Sequence, residues 1–192
     1  MTMVPSLREV SHGMYGAWRF ARLDPAAMAW FDRSIDGVWR SFFAAAIVYP
    51  AFIIDLALRV APEQWIASGA LRIILVSTIG YAIAWAGVPL IFISFSRWLE
   101  REEQVLGFIV AYNWCQVVQM GFYLAAELLA ASGAVPPATG SLLIGAVVLA
   151  TLAYEWFIAR VALEIGGVAA AAIVLIDLVY GATVHQVTQS LY

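Results

Sequence analysis

Apolar residues dominate five long stretches of this chain, and short polar segments separate them. The stretches run over residues 38–60, 71–95, 105–131, 141–161 and 168–187. A helix needs roughly 20 mostly apolar residues, at about 1.5 Å each, to cross a bilayer. Each stretch has this length. The pattern therefore predicts an all-α, polytopic membrane protein with five transmembrane helices.

The third stretch, residues 105–131, carries polar groups along its whole length. Steps of three and four residues place five side chains on one helical face: Asn113, Gln116, Met120, Tyr123 and Glu127. Gln119 lies beside this stripe. Because an amide or carboxyl without a partner costs several kcal/mol in hydrocarbon, we expect this face to point at other helices or at water. The other four spans then form its wall.

The fourth and fifth stretches add polar groups at comparable depth. Asp177 and His185 lie eight residues apart in the fifth stretch, on one helical face. From the ends of their helices, Asp177 lies roughly 14 Å deep, Gln116 roughly 17 Å and Glu155 roughly 9 Å. We therefore predict a polar seam between the third, fourth and fifth spans. It comprises Asn113, Gln116, Gln119, Tyr123, Glu127, Glu155, Asp177 and His185.

Two interpretations of the polar seam are open at this point. In the first, these groups form hydrogen bonds between helices and serve only packing, at about 0.6 kcal/mol per contact. In the second, they form a path for protons or a small solute, because acids inside a membrane are candidates for function. The second interpretation assigns Glu155 to a cytoplasmic mouth, Asp177 with Asn113 and Gln116 to a constriction, and His185 with Glu127 to an exit.

The N-terminal segment, residues 1–37, has an amphipathic pattern. It lacks the continuous apolar run of a secretory signal, so we expect it to be retained. Residues 14–23, MYGAWRFARL, separate apolar side chains from arginines, which is typical of a helix at a membrane surface. Asp24 followed by Pro25 predicts the start of a second short helix. We therefore expect an amphipathic segment ahead of a transmembrane domain that spans residues 38–192.

The arginines predict the orientation of the chain. All ten basic residues are arginines. The predicted spans place eight of them on one side of the membrane: Arg8, Arg19, Arg22, Arg33, Arg40, Arg97, Arg101 and Arg160. Only Arg59 and Arg72 fall on the other side. Because positive charge accumulates on the cytoplasmic side, we expect a cytoplasmic N-terminus and an exoplasmic C-terminus.

Composition and motif content narrow the function classes. With 64% hydrophobic and 12% charged residues, the chain lies outside the range of soluble domains. A net charge of −3 gives no reason to expect nucleic acid as a partner. Cys115 is the single cysteine, which excludes an internal disulfide. We find no nucleophile elbow, phosphate loop or metal-ligand spacing. We therefore predict a protein that is not an enzyme and has no cofactor or metal.

The topology and one stretch of sequence resemble a known family. The run GAWRFARLDPAAMAWFDRSIDGVWRSFF, residues 16–43, resembles the lead-in of bacterial members of the Yip family (Ypt-interacting proteins). The amphipathic N-terminus, five closely spaced spans and short C-terminal tail extend this resemblance over nearly the whole chain. The DLYGP-type motif of eukaryotic members is absent, and ARLDPAAMAW is the nearest stretch. We therefore carry over no functional residue.

The resemblance implies a non-enzymatic protein of the bacterial cytoplasmic (inner) membrane that acts through protein partners. The expectation is accordingly a scaffold or accessory subunit that organises membrane partners. Its expected partners are membrane lipids and either another membrane protein or further copies of the same chain. The alternative, which follows from the polar seam, is a proton or small-solute channel or transporter.

Overall fold

The computed structural model describes residues 4–96 and 101–192, without the side chains of residues 95 and 96. Arg97, one of the arginines behind the orientation, lies outside this part. All regular elements of the described part are helices, and short loops connect them. The elements are α1 (Leu7–Ala21), a 3₁₀ helix (Pro25–Trp30), α2 (Ile35–Ser41), α3 (Phe43–Arg59), α4 (Pro62–Ser68), α5 (Ala70–Ser96), α6 (Glu102–Ala131), α7 (Pro137–Ala162) and α8 (Gly167–Gln189).

Five helical segments of the described chain are long and apolar enough to cross a membrane. They are Ile35–Arg59, which joins α2 to α3, and then Ala70–Ser94, Glu102–Ala131, Pro137–Ala162 and Gly167–Gln189. The prediction of an all-α protein with five spans is confirmed. Ser34 caps the first of these segments, because its side chain accepts a hydrogen bond from the Gly37 N–H. Pro137 begins the fourth, where a missing N–H costs nothing.

Helix α6 lies at the centre of the bundle. Of the most apolar part of α6, 61% of the residues are buried, against 11% in α8. It packs against α1, α2, α3, α5 and α7. The Asn113 and Gln119 amides of α6 are buried in protein, as expected for a helix that carries amides through hydrocarbon.

The N-terminal helix α1 packs on the bundle. It begins at Leu7, seven residues before the start of the predicted amphipathic run. Ser6 and Glu9 form a capping box, in which each side chain accepts a hydrogen bond from the backbone N–H of the other residue. This cap satisfies two N–H groups at the helix start. It explains why the helix begins earlier than the pattern of apolar residues indicated.

One face of α1 contacts α6 and α7. Gly13 is buried directly against the indole ring of Trp114 in α6. The Tyr154 hydroxyl of α7 donates a hydrogen bond of 2.6 Å to the carbonyl of Ala17. By helical rise, Trp114 lies about 18 Å from the start of α6. Helix α1 thus covers the N-terminal half of the helix that carries Gln116.

Ion pairs connect α1 to the start of the first span. Arg40 of α2 lies 2.7 Å from the Glu9 carboxylate and 2.7 Å from that of Asp32. The hydrogen bonds of Ser6, and after them the charge of Arg40, hold the pKa of the Glu9 carboxyl below its ordinary value. The N-terminal segment is therefore joined to the bundle by apolar packing on one face and by charge at its start.

Candidate functional site

All five spans line a cavity of about 420 Å³ in the bundle, which we call the central cavity. Its volume is in the range of small-molecule sites, roughly 300 to 1,000 Å³. The polar and aromatic residues of its wall are Phe52 of α3, Tyr81 and Trp85 of α5, Tyr112, Gln116, Gln119 and Tyr123 of α6, Thr151 and Glu155 of α7, and Asp177 and Tyr180 of α8. Five of the eight residues of the predicted polar seam are among them.

Two carboxyl groups meet in the central cavity. Glu155 of α7 and Asp177 of α8 lie close enough to interact directly. The Tyr112 hydroxyl lies 3.1 Å from each carboxylate oxygen of Asp177 and donates to this group. By helical rise, Glu155 lies about 10 Å from the end of α7 and Asp177 about 15 Å from the start of α8. The pair is therefore inside the membrane-spanning part of the bundle.

The described part of the cavity wall contains no basic side chain that would balance this pair. Among the described residues that line the central cavity, none is arginine, lysine or histidine. Two like charges in a medium of low dielectric constant repel strongly. A proton or a cationic ligand would supply the missing positive charge.

Two glutamine amides lie next to the acid pair. Gln116 and Gln119 of α6 are neighbours of the Glu155 carboxyl. Gln119 is only 7% exposed and lies beside the Glu155 carboxyl. Its Nε2 atom carries two N–H donors. The Gln119 amide can therefore serve an acceptor atom of a bound group as well as Glu155.

Aromatic rings also line the cavity. The Tyr81 hydroxyl donates a hydrogen bond of 2.6 Å to the Ala45 carbonyl, and the Tyr180 hydroxyl donates one of 2.8 Å to the Ile83 carbonyl. Both hydroxyls are thus engaged with backbone. The Tyr81 and Trp85 rings are neighbours, with centroids 5.9 Å apart. The wall therefore combines carboxyl and amide groups with aromatic rings.

Asn113 does not line the central cavity. It is fully buried, and its Nδ2 atom donates a hydrogen bond of 2.8 Å to the Ser41 hydroxyl of α2. The structure therefore places this amide at a packing contact between α2 and α6. Asn113 therefore does not form a constriction with Asp177, as the sequence had suggested. It follows Tyr112, which lines the cavity, and successive side chains of a helix point about 100° apart.

Glu127 and His185 lie nearer the C-terminal end of α8. Glu127 accepts a hydrogen bond from Tyr123 and lies 3.6 Å from Arg59, which also pairs with Asp55 at 2.9 Å. His185 is exposed and lines a neighbouring cavity of about 200 Å³ together with Asp55 and Arg59. We call this neighbour the outer cavity. These two seam residues therefore belong to a second polar cluster that adjoins the first.

The two cavities share part of their walls. Phe52 of α3 and Tyr81 of α5 line both, and their ring centroids are 4.6 Å apart. The outer cavity extends to Gln189 and Tyr192 at the end of the chain. The aromatic pair therefore lies between the acid pair and the C-terminal end of α8.

Tyr112, which holds Asp177, is a site residue that the sequence interpretation missed. Its signal was present, since Tyr112, Gln116 and Gln119 follow each other at steps of four and three residues. A polar stripe that starts at Asn113 leaves out its neighbour Tyr112. The aromatic wall left no comparable signal, because tyrosine and tryptophan are common in any membrane helix bundle.

Comparisons of the chain with protein-family models, with curated proteins and with solved structures found no match. The resemblance to the Yip family therefore stays a prediction.

Proposed function

We propose that this integral membrane protein conducts protons or small cationic solutes through the central cavity. The observation that carries the proposal is the meeting of the Glu155 and Asp177 carboxyls in a cavity walled by all five spans. A carboxylate near the middle of a membrane costs at least about 2.5–3.5 kcal/mol. Two facing acids increase this cost. Helices that needed only packing contacts would be served equally well by neutral groups, as Asn113 and Ser41 illustrate.

The adjoining outer cavity supports a route toward one membrane face. A solute at Asp177 that passes the Phe52 and Tyr81 rings enters a space bordered by Asp55, its ion-pair partner Arg59 and His185. The route is thus polar from the centre to the end of α8. Passage also requires an opening on the side of Glu155, where α1 and α7 pack against α6. A movement of these helices relative to α6 would provide it.

A flux measurement on reconstituted protein tests the proposal. The full chain is placed in vesicles of phosphatidylethanolamine and phosphatidylglycerol, and a potassium–valinomycin potential drives cations inward. Proton influx is followed with a trapped pH-sensitive dye, and uptake of labelled methylammonium is followed in parallel. We expect one or both cations to enter faster than in protein-free vesicles. Asp177→Asn and Glu155→Gln should each reduce that rate toward the protein-free level.

Glu63→Gln is the matched control, because Glu63 lies exposed in α4 and does not line either cavity. It loses the same carboxyl charge and should conduct like the wild-type chain. Two results would contradict the proposal. One is entry of neither cation above the protein-free rate. The other is equal conduction by the wild-type chain and both acid variants.

The scaffold or accessory-subunit role stays a prediction, as do its protein and lipid partners. The bacterial inner membrane and the orientation of the termini also stay predictions. Co-purification of a stoichiometric partner from native membranes, together with absent flux, would favour that role over conduction.

A further inference from the structure

We infer that the preferred ligand of the central cavity is an organic ammonium ion that carries an oxygen acceptor. The inference rests on the proposed function, since it names the ligand class of the same cavity. It follows from three features of the wall: the acid pair, the aromatic residues and the buried amide of Gln119.

The acid pair selects for positive charge. Glu155 and Asp177 present two carboxyls to a space whose described lining contains no basic side chain. The Tyr112 hydroxyl occupies only part of the hydrogen-bonding capacity of Asp177, since a carboxylate accepts at about four positions. Room for further donors therefore remains on Asp177. An ammonium group supplies charge and, when it bears hydrogen, donors as well.

The aromatic residues favour an organic cation over a metal ion as the ligand. A bare divalent cation such as Ca²⁺ takes roughly six to eight oxygen ligands. The wall also contains the rings of Phe52, Tyr81 and Trp85, and the Tyr81 hydroxyl is engaged with the Ala45 carbonyl. Ring faces attract organic cations held within about 6 Å of their centroids. An ammonium ion with methyl or methylene groups can use the acids and the rings at once.

The amide of Gln119 adds a requirement for an acceptor. This side chain is more than nine-tenths buried, lines the cavity and lies beside Glu155. Its Nε2 atom carries two N–H donors, so one remains for a ligand oxygen when Glu155 accepts the other. The wall therefore suits a cation that has both an ammonium group and a hydroxyl or carbonyl oxygen.

Calorimetric titration of the purified full chain in detergent tests the ligand class. The probes are choline, which has an ammonium group and a hydroxyl, and 3,3-dimethylbutan-1-ol, its uncharged analogue of the same shape. Choline should bind about tenfold or more tightly than the uncharged analogue. Tetramethylammonium keeps the charge but lacks the hydroxyl, and should bind about two- to tenfold more weakly than choline.

Two variants locate the binding. Asp177→Asn should weaken choline binding about tenfold or more, while Glu63→Gln should leave it unchanged. Gln119→Leu removes the amide that would donate to the choline hydroxyl and keeps a similar side-chain volume. Choline and tetramethylammonium should then bind this variant alike. The comparison of choline with its uncharged analogue needs only the wild-type chain, so it decides the matter even when a variant fails to fold.

Three outcomes would overturn the inference. The first is equal binding of choline and the uncharged analogue. The second is tighter binding of Mg²⁺ or Ca²⁺ in competition with choline. The third is proton flux that depends on Asp177 without any choline binding, which would leave the proposed conduction standing. Choline binding without flux of either cation would instead refute conduction and support the ligand class.

Discussion

Replacing Gly13 by alanine would test how α1 is held against the bundle. A Cβ at this position would lie 2.4, 2.6 and 2.7 Å from the Cδ2, Cε2 and Cγ atoms of Trp114. Carbon atoms in contact normally lie about 3.5–4.0 Å apart. The ring or the whole of α1 would therefore have to move by about 1 Å. Trp114 is only 4% exposed, so the ring has little room to move.

The size of the effect follows from two opposing contributions. Overpacking of a filled interior costs about 1–3 kcal/mol. Replacing glycine by alanine within a helix gains about 1 kcal/mol from propensity. Gly145→Ala in α7 isolates this gain, because no neighbouring atom lies within 4 Å of its Cβ position. Gly13→Ala should therefore be less stable than Gly145→Ala by about 1–3 kcal/mol, the cost of overpacking alone.

Thermal unfolding in one detergent, followed by circular dichroism, measures this difference. For a chain of this size, 1 kcal/mol corresponds to about 2–4 °C in the unfolding temperature. We expect Gly13→Ala to unfold below Gly145→Ala by at least that amount. Equal unfolding temperatures would refute the reasoning. They would mean that α1 is not fixed against α6 through this contact.

Three further predictions concern single polar contacts. Ser41→Ala should lower the free energy of unfolding by about 1–2 kcal/mol, because the buried Asn113 amide loses its acceptor; denaturant titration measures this, and an unchanged midpoint would contradict the contact. The pKa of Glu9 lies below its ordinary value of 4.5, so this carboxylate contributes stability above that pH, and the contribution is lost as the pH falls through the lowered pKa. Glu9→Gln should therefore flatten the fall of the unfolding temperature between about pH 5 and pH 3, whereas an unaltered pH profile would disprove this linkage. Tyr112→Phe should slow the flux measured in vesicles while leaving the chain folded, because Asp177 loses the hydroxyl that positions it; a wild-type rate would show that this hydroxyl is dispensable.

The gathering of polar groups inside the bundle was largely predictable from the sequence. Gln116 and Gln119 lie on one side of a helix. In a membrane this side has to face protein or water, because lipid tails offer no hydrogen-bond partners. The same reasoning applies to Asp177 and Glu155 in the neighbouring spans. The prediction was inaccurate for Asn113. This residue lies three positions before Gln116, and that spacing is compatible with either edge of the stripe. Packing against Ser41 decided which edge this amide faces.

The sequence by itself determined that the described chain is helical and has five segments able to cross a membrane. Helix length and hydropathy are local properties, so they can be read from consecutive residues. Only the tertiary structure decided that α1 packs on α6 at Gly13, that Tyr112 holds Asp177, and that the buried Gln119 amide lies beside Glu155 in the central cavity. These features depend on how far each helix is rotated about its axis and on which helices become neighbours. Contacts between residues distant in sequence set both, and no local pattern encodes them.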